Sequence, residues 1–316
     1  MSDYIVCVRN VKRNGFGNEP GIATFLEVKN NQATYSPNER MVKSEWIKAV
    51  LEEAKTGVDD ITGQDVGNIL VFVHGYNNSI REVRKRHKEL KNDLKKYGYK
   101  GALISFDWPS DRKAINYLED RNDAKQSAFK LVKDCIALFA KLQRPDCSIN
   151  THILGFSTGA YVVREAFDDA DDRPAIAQTN WTVSQVLFLE ADVSSRSMSE
   201  TNAKSSSLYR HCVRLTNYYN PHDKVLKLSD VKRIGVAPRA GRCGLPDNKP
   251  VKAVDINCGI HFKNNKAKIE ANGGDSHNWS VDNEIFLKDV VATLAGDLDR
   301  FVIETREIRN GKLILK

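Results

Sequence analysis

Residues 155–159 read Gly155-Phe156-Ser157-Thr158-Gly159, a G-x-S-x-G stretch between a short apolar strand pattern at 151–154 and a helical pattern at 160–167. In that setting the stretch predicts a nucleophile elbow, a tight turn that lifts the Ser157 hydroxyl clear of a sheet. The two glycines fit because a side chain at either position would collide with neighbouring backbone. The G-x-S-x-G pattern occurs by chance in about one chain in ten of this length. The prediction therefore depends on the strand and helix patterns on either side of it.

The composition is that of a globular protein with a sizeable core. The chain has 316 residues, of which 41% are hydrophobic and 28% charged, ordinary values for this class. The length suits one large domain or two small ones. No apolar run approaches the roughly 18 residues that span a bilayer, and the first residues lack the pattern of a secretory signal. We therefore expect a cytoplasmic protein with no membrane span.

The six cysteines are scattered and form no C-x-x-C pair. Several lie in apolar strand or helix patterns, which indicates small buried hydrophobes in a reducing compartment. We expect neither a disulfide framework nor a metal site. The cysteines are Cys7, Cys135, Cys147, Cys212, Cys243 and Cys258.

The net charge of +7 is concentrated in residues 81–100, which hold nine Lys and Arg against three acidic residues. A basic face can attract nucleic acid or anionic lipid. An apolar stripe at helical spacing runs through the same segment, which predicts a surface helix with a solvated basic face. No nucleic-acid-binding module accompanies it, so no nucleic-acid partner is expected. The stripe consists of Ile80, Val83, His87, Leu90, Leu94 and Tyr97.

Strand and helix patterns alternate from about residue 68, which predicts an α/β fold with a mostly parallel central sheet and helices on both faces. The predicted strands cover 69–73, 102–106, 147–154, 183–189, 212–216 and 251–256. The predicted helices cover 79–97, a long segment that ends near 142, and 285–294. Ser194–Ser207 and Ala237–Pro250 resist assignment and are expected to form surface loops.

The segment before residue 68 predicts two paired strands, 4–9 and 24–28, and a helix over 44–55 with Ser44 at its start. No linker or internal repeat divides the chain. We therefore predict one domain over 1–316, with N-terminal strands and a helix in 1–65, a core in 66–300 and a C-terminal extension in 301–316.

A serine nucleophile needs a base, and the base needs an acid that fixes its tautomer. On a sheet with this elbow the partners follow in the order Ser, Asp or Glu, His. Asp223 comes just after the strand at 212–216, and His277 lies in a glycine-containing loop before the last helix. The sequence therefore predicts Ser157, Asp223 and His277 as the catalytic residues.

Other residues could fill two of these roles. Asp192 and Glu190 also follow a strand and are alternatives for the acid. His261 is an alternative base, although its neighbours Ile260 and Phe262 indicate a strand and a structural histidine. His222 is too close in sequence to Asp223 to be preferred, and His152 is expected to pack inside a strand.

Acyl transfer also needs donors for the oxyanion. The backbone N–H of Thr158, at the start of the elbow helix, can supply one. The loop at 73–77 (Val-His-Gly-Tyr-Asn) follows an earlier strand and can supply the second. Gly75 allows the backbone to turn, so that the N–H of Tyr76 points into the site.

Taken together, these motifs resemble those of the α/β-hydrolase superfamily, in particular a poorly characterised bacterial branch of esterase- and lipase-like members. The resemblance covers about residues 69–294 and also includes the strand end at 106–109. It implies an α/β-hydrolase fold, with Ser157 as nucleophile, His277 as base and Asp223 as its acid, and without a metal or organic cofactor. Phe156 departs from the His or Asp common there and is expected to narrow the pocket.

The expected function is a serine hydrolase that cleaves a small-molecule carboxylic ester through an acyl-enzyme. Thioesterases, amidases and acyltransferases use the same triad, so the sequence leaves them open. A second hypothesis is a hydrolase-fold protein without catalysis that serves as a binding module. Nucleotide binding is disfavoured because no glycine-rich phosphate motif follows a strand. The sequence gives no indication of the oligomeric state.

Overall fold

A single mixed sheet organises the chain. The computed structural model describes residues 2–13, 15–110, 117–140, 147–177, 181–231 and 237–316. Within these residues the sheet has eleven strands, in the order β10-β11-β9-β8-β7-β6-β4-β5-β1-β2, with β3 paired to β4. The strands are β1 (Ser2–Lys12), β2 (Gly15–Lys29), β3 (Lys55–Val58), β4 (Asp65–Val73), β5 (Ala102–Asp107), β6 (Cys147–Phe156), β7 (Val183–Leu189), β8 (Cys212–Tyr219), β9 (Ala253–Asn257), β10 (Arg306–Arg309) and β11 (Lys312–Leu315).

The pairing is parallel from β1 through β5, β4, β6, β7, β8 and β9 to β11. Antiparallel pairing occurs at both edges, between β1 and β2 and between β10 and β11, and where β3 meets β4. The prediction of a mostly parallel sheet is therefore confirmed. Parallel strands put their carboxyl ends at one edge of the sheet, and ligand sites form along that edge.

Helices cover both faces of the sheet. They are α1 (Lys43–Ala54), α2 (Ile80–Lys96), α3 (Tyr117–Leu131), α4 (Ala137–Ala140), α5 (Thr158–Asp171), α6 (Pro174–Ala177), α7 (Ala203–His211), α8 (Lys224–Val231), α9 (Ala240–Cys243), α10 (Gly259–Ala271) and α11 (Glu284–Ala295). Two successive residues of β4 show that the sheet is buried on both faces. Val71 belongs to the core shared with α1, α3, α5 and α7, and Phe72 to the core shared with α2, α10 and α11. The predicted two-faced arrangement is confirmed.

Several element boundaries differ from those predicted. Helix α1 begins at Lys43, so Ser44 lies inside its first turn, and Val42 precedes it without a side-chain cap. The segment expected to be a loop at 194–207 contains a short 3₁₀ turn and α7, which Asn202 caps by accepting a hydrogen bond from the Lys204 N–H. The predicted loop at 237–250 contains only the short helix α9. The last two residues of the helical segment predicted to end near 142 lie outside the described residues.

The basic segment forms α2, but its face is only partly solvated. The predicted stripe faces inward, with Val83, His87 and Leu94 buried. Arg84, which was assigned to the solvated face, is also buried, because it makes an ion pair with Asp3 of β1. The strand pair at the sheet edge therefore covers part of this helix.

Of the five cysteines whose side chains the structure describes, Cys7, Cys135, Cys212 and Cys258 are buried and Cys243 is exposed. The described residues contain no cluster of three or more His, Cys, Asp or Glu that could hold a metal ion. Among the same residues, no helix has the length and apolarity needed to cross a membrane.

Candidate active site

Ser157 occupies a strained turn between β6 and α5. Its backbone has φ of 53° and ψ of −122°, a conformation that residues other than glycine adopt only when their surroundings enforce it. The Ser157 N–H donates to the Leu189 carbonyl at 2.9 Å, and the Ser157 carbonyl accepts from the Asp192 N–H at 3.0 Å. The end of β7 therefore holds the turn. Gly159 is needed because a Cβ there would lie 2.1 Å from the Val73 carbonyl oxygen.

Three side chains form a continuous hydrogen-bonded chain at the carboxyl edge of the sheet. The Ser157 hydroxyl lies 2.9 Å from His277 Nε2, and His277 Nδ1 lies 2.6 Å from Asp223 Oδ2. Because a carboxylate can only accept, Nδ1 carries the proton and Nε2 is the acceptor for the serine hydroxyl. All three residues are buried, with exposed fractions of 6% for Ser157 and His277 and 1% for Asp223.

Local hydrogen bonds fix the acid and the histidine. Asp223 follows β8, and its second carboxylate oxygen accepts from the Leu226 N–H at 2.9 Å. In the histidine loop, the Asp275 carboxylate accepts from the His277 N–H at 2.6 Å. Burial opposes ionisation of Asp275, but the backbone hydrogen bonds from His277 and Asn278 outweigh it and lower its pKa. The ionised carboxylate of Asp275 therefore holds the backbone of the histidine loop in place.

The alternative residues lie elsewhere or have other partners. Asp192 pairs with Arg239 at 3.1 Å. His261 lies in α10, so the predicted strand around it is wrong, and it contacts Asn283 and the Lys316 carbonyl. His152 is buried in β6, where burial lowers its pKa to about 3.

His222 lies beside the ring of Phe262, at 6.2 Å between ring centroids. Glu190 lies next to the site but forms no hydrogen bond within the described structure. It is fully buried at the end of β7. Burial raises the pKa of Glu190 well above its ordinary value, and the nearby Asp223 carboxylate adds to the effect. Burial and the charge of Asp223 therefore both favour the neutral form of Glu190.

The loop after β4 passes directly over the serine. A Cβ on Gly75 would lie 2.9 Å from the Ser157 Cβ, so only glycine allows this approach. The Asn78 side chain donates to the carbonyls of Gly75 and Tyr76, at 3.0 Å and 2.9 Å. Tyr76 lines the same cleft as Ser157 and His277. Thr158 is the first residue of α5, where backbone N–H groups have no partner within the helix.

A buried polar cluster anchors this loop. Asp107, at the end of β5, accepts hydrogen bonds from Arg9 at 2.9 Å and from the Tyr35 hydroxyl at 2.8 Å, and it lies 3.1 Å from His74 Nε2. His74 Nδ1 donates to the Gly75 carbonyl at 2.9 Å, and Arg9 donates to the carbonyl of Asn78 at 2.8 Å. The cluster thus holds both ends of the loop at 74–78.

Charge pairing keeps this cluster ionised. Burial opposes ionisation of Asp107, but the charge of Arg9 and the hydrogen bonds from His74 and Tyr35 outweigh it and hold its pKa well below the ordinary range. No sequence motif includes Arg9 or Tyr35. Of the cluster, only His74 and Asp107 have a recognisable sequence pattern, because each lies at the carboxyl end of a strand and the two strands are parallel neighbours.

The cleft in front of the serine has a volume of about 540 Å³ and is lined by Ser157, His277, Tyr76 and residues of α2. Arg86 reaches into it from α2 and donates to the Asn278 side chain at 2.7 Å. Its guanidinium lies 5.5 Å from the centre of the Phe156 ring, and that ring is 5.3 Å from the His277 ring. The sequence analysis had placed Arg86 on a solvated face.

A family model described as an alpha/beta hydrolase of unknown function (DUF900) matches residues 51–279, which is well over half of the chain. An uncharacterized protein from Nostoc sp. is 23% identical in an alignment of 216 positions, which covers 53% of this chain and 55% of that protein. The chain thus spans about half the length of this curated relative.

Two solved structures show a partial likeness to this chain. A protein of Lactobacillus plantarum WCFS1 assigned as a cell surface hydrolase is 13% identical, with a TM-score of 0.39 over 73% of this chain and 90% of that chain. A cutinase-like protein from Cryptococcus sp. is 10% identical, with a TM-score of 0.35 over 76% of this chain and 96% of that chain. These likenesses are partial, and the family assignment depends on the family model.

Proposed function

The chain belongs to this family of alpha/beta hydrolases, and we propose that it is a serine hydrolase that cleaves carboxylic esters through an acyl-enzyme. The observation that carries the proposal is the buried chain of hydrogen bonds from Ser157 through His277 to Asp223, at 2.9 Å and 2.6 Å. This geometry allows proton transfer from a hydroxyl to an imidazole of fixed tautomer. A small-molecule acyl ester that fits the cleft is the proposed substrate.

The proposed reaction has two steps. The Ser157 oxygen attacks the ester carbonyl while its proton moves to His277 Nε2, and Asp223 stabilises the imidazolium. His277 then returns the proton to the leaving alcohol, which leaves an acyl group on Ser157. In the second step His277 takes a proton from water, and the resulting attack releases the acid. We assign the stabilisation of the oxyanion to the backbone N–H groups of Tyr76 and Thr158.

The test combines covalent labelling with turnover. We expect a fluorophosphonate probe to modify Ser157, as mapped by mass spectrometry, and Ser157→Ala to lose both the adduct and ester hydrolysis. Asp223→Asn should lower kcat by about 10⁴-fold, since the histidine loses its tautomer. Asp192→Asn is the matched control, because Asp192 is a buried aspartate in the same region that pairs with Arg239 instead. It should retain kcat within about tenfold.

Thermal unfolding of each variant shows whether a loss of activity is a loss of structure. Turnover by Ser157→Ala, or equal losses in Asp223→Asn and Asp192→Asn, would contradict the proposed mechanism. A thioester and an amide belong in the substrate panel because they use the same groups. A folded wild-type protein that takes no label and cleaves none of them would instead support the binding-module hypothesis.

A further inference from the structure

An apolar cavity lies beside the catalytic cleft, between α2 and α11. Its volume is about 60 Å³. The sheet contributes Phe72, Leu154 and Leu189, and the helices contribute Leu90, Phe286 and Leu287. The charged lining residues are Arg86, Glu89 and Asp93, which are half-buried, and Asp282, which is exposed to solvent, whereas the sheet residues are buried. The interior of the cavity is therefore suited to hydrocarbon.

Phe156 lies at the boundary between this cavity and the cleft that contains the serine. It lines both spaces, as do Arg86, Glu89 and Val281, and the adjacent Ser157 lines the cleft. The His277 ring and the Arg86 guanidinium both lie within 5.5 Å of the Phe156 ring centre. The ring therefore borders the passage from the serine to the cavity.

We propose that this cavity receives the acyl chain of the substrate and that Phe156 forms its entrance. The inference rests on the proposed function and adds a substrate class, namely esters of short, straight-chain carboxylic acids such as butyrate and hexanoate. The acyl carbon lies at Ser157 during the reaction, and the cavity begins at the preceding residue, Phe156. An acyl chain that extends past the ring is transferred from water to an apolar surface, and this transfer has a favourable free energy.

Chain length tests the proposal. Each methylene that becomes fully buried raises kcat/KM about fourfold, so p-nitrophenyl butyrate should exceed the acetate by about fifteenfold. The dodecanoate should be poorer than the hexanoate because the cavity ends. Phe156→Ala should move the optimum to longer chains, since it widens the entrance.

A variant that fills the cavity provides the reverse test. Leu90→Trp should lower the ratio of kcat/KM for hexanoate to that for acetate by at least about fifteenfold, because two or more methylenes are excluded. Leu51→Trp is the matched control, a leucine of similar burial that packs against the other face of the sheet. It should keep the wild-type ratio.

A flat chain-length profile in the wild type would overturn the inference. So would a Leu90→Trp variant that keeps the wild-type ratio. Both results are distinct from a failure of the proposed function, in which Ser157 takes no fluorophosphonate and even the acetate is not cleaved. The inference would then fall together with the proposed function.

Discussion

Replacing Asp107 by asparagine tests whether the buried cluster supports both the fold and the serine site. Arg9 and Asp107 are joined at 2.9 Å, and both side chains have 0% exposure. The change removes the anion and leaves the Arg9 charge buried without a counter-ion. Breaking a buried pair in this way costs about 3–5 kcal/mol of unfolding free energy. The kcat for ester hydrolysis should also fall, because the loop at 74–78 loses its anchor.

The effect has a defined dependence on pH. The pKa of Asp107 is lower in the folded protein than in the unfolded chain, because the charge of Arg9 and the hydrogen bonds outweigh burial. Its contribution to stability is therefore fully present above the unfolded pKa of about 3.9. It is lost as the pH falls through the folded pKa. The difference in unfolding free energy between wild type and Asp107→Asn should thus be largest at neutral pH and should decrease in acid.

Urea unfolding followed by far-UV circular dichroism measures both effects. Asp65→Asn is the control, because Asp65 pairs with Lys55 at 2.9 Å on the surface, with exposed fractions of 42% and 38%. Such a pair contributes at most about 1 kcal/mol. Two results would refute the reasoning. One is a loss of unfolding free energy below about 1 kcal/mol in Asp107→Asn. The other is a difference in unfolding free energy from wild type that is the same at neutral and at acid pH.

Two further predictions concern the glycine beside the serine and the cysteines. Gly75→Ala should lower kcat at least about tenfold, because the new methyl would lie 2.9 Å from the Ser157 Cβ. The control is Gly57→Ala, because its methyl would meet nothing closer than 4.0 Å. Equal kcat values for the two variants would contradict the prediction. Iodoacetamide at neutral pH should label the exposed Cys243 and spare the buried cysteines, of which Cys212 has its pKa raised to about 12 by burial. Peptide mapping checks this result, with urea-unfolded protein as the control, and rapid labelling of a buried cysteine in the folded protein would contradict it.

Local patterns were sufficient to predict the fold and to single out three residues whose side chains lie together in the structure. The elbow needs only a strand, a turn and a helix that are adjacent in sequence, so its signal is contained in about fifteen residues. Ser157 and Asp223 each follow a parallel strand, and the carboxyl ends of such strands meet at one edge. The structure places their side chains on either side of His277. The catalytic roles of these residues remain predictions until the variants are measured.

The rest depended on contacts that have no local signal. Arg9 and Asp107 are 98 positions apart, and nothing near either residue indicates the other. Arg84 appeared to belong to a solvated face because its partner, Asp3, lies in a different element. His261 was assigned to a strand from two apolar neighbours, too few to distinguish a period of two from one of 3.6. Tertiary contacts therefore decide the positions of Arg9 and Arg84.

The position of Arg9 in β1 has a consequence for synthesis on the ribosome. This strand lies outside the matched segment 51–279, yet it anchors the loop beside the serine. It is made 98 residues before Asp107, and at about 5–20 residues per second the delay is on the order of 5–20 seconds. During that time β1 has no partner on the side where β5 will pair with it, and a two-stranded hairpin with one open edge is marginally stable in water. The nascent chain therefore exposes the unpaired edge of β1, to which a chaperone can bind, until β5 emerges.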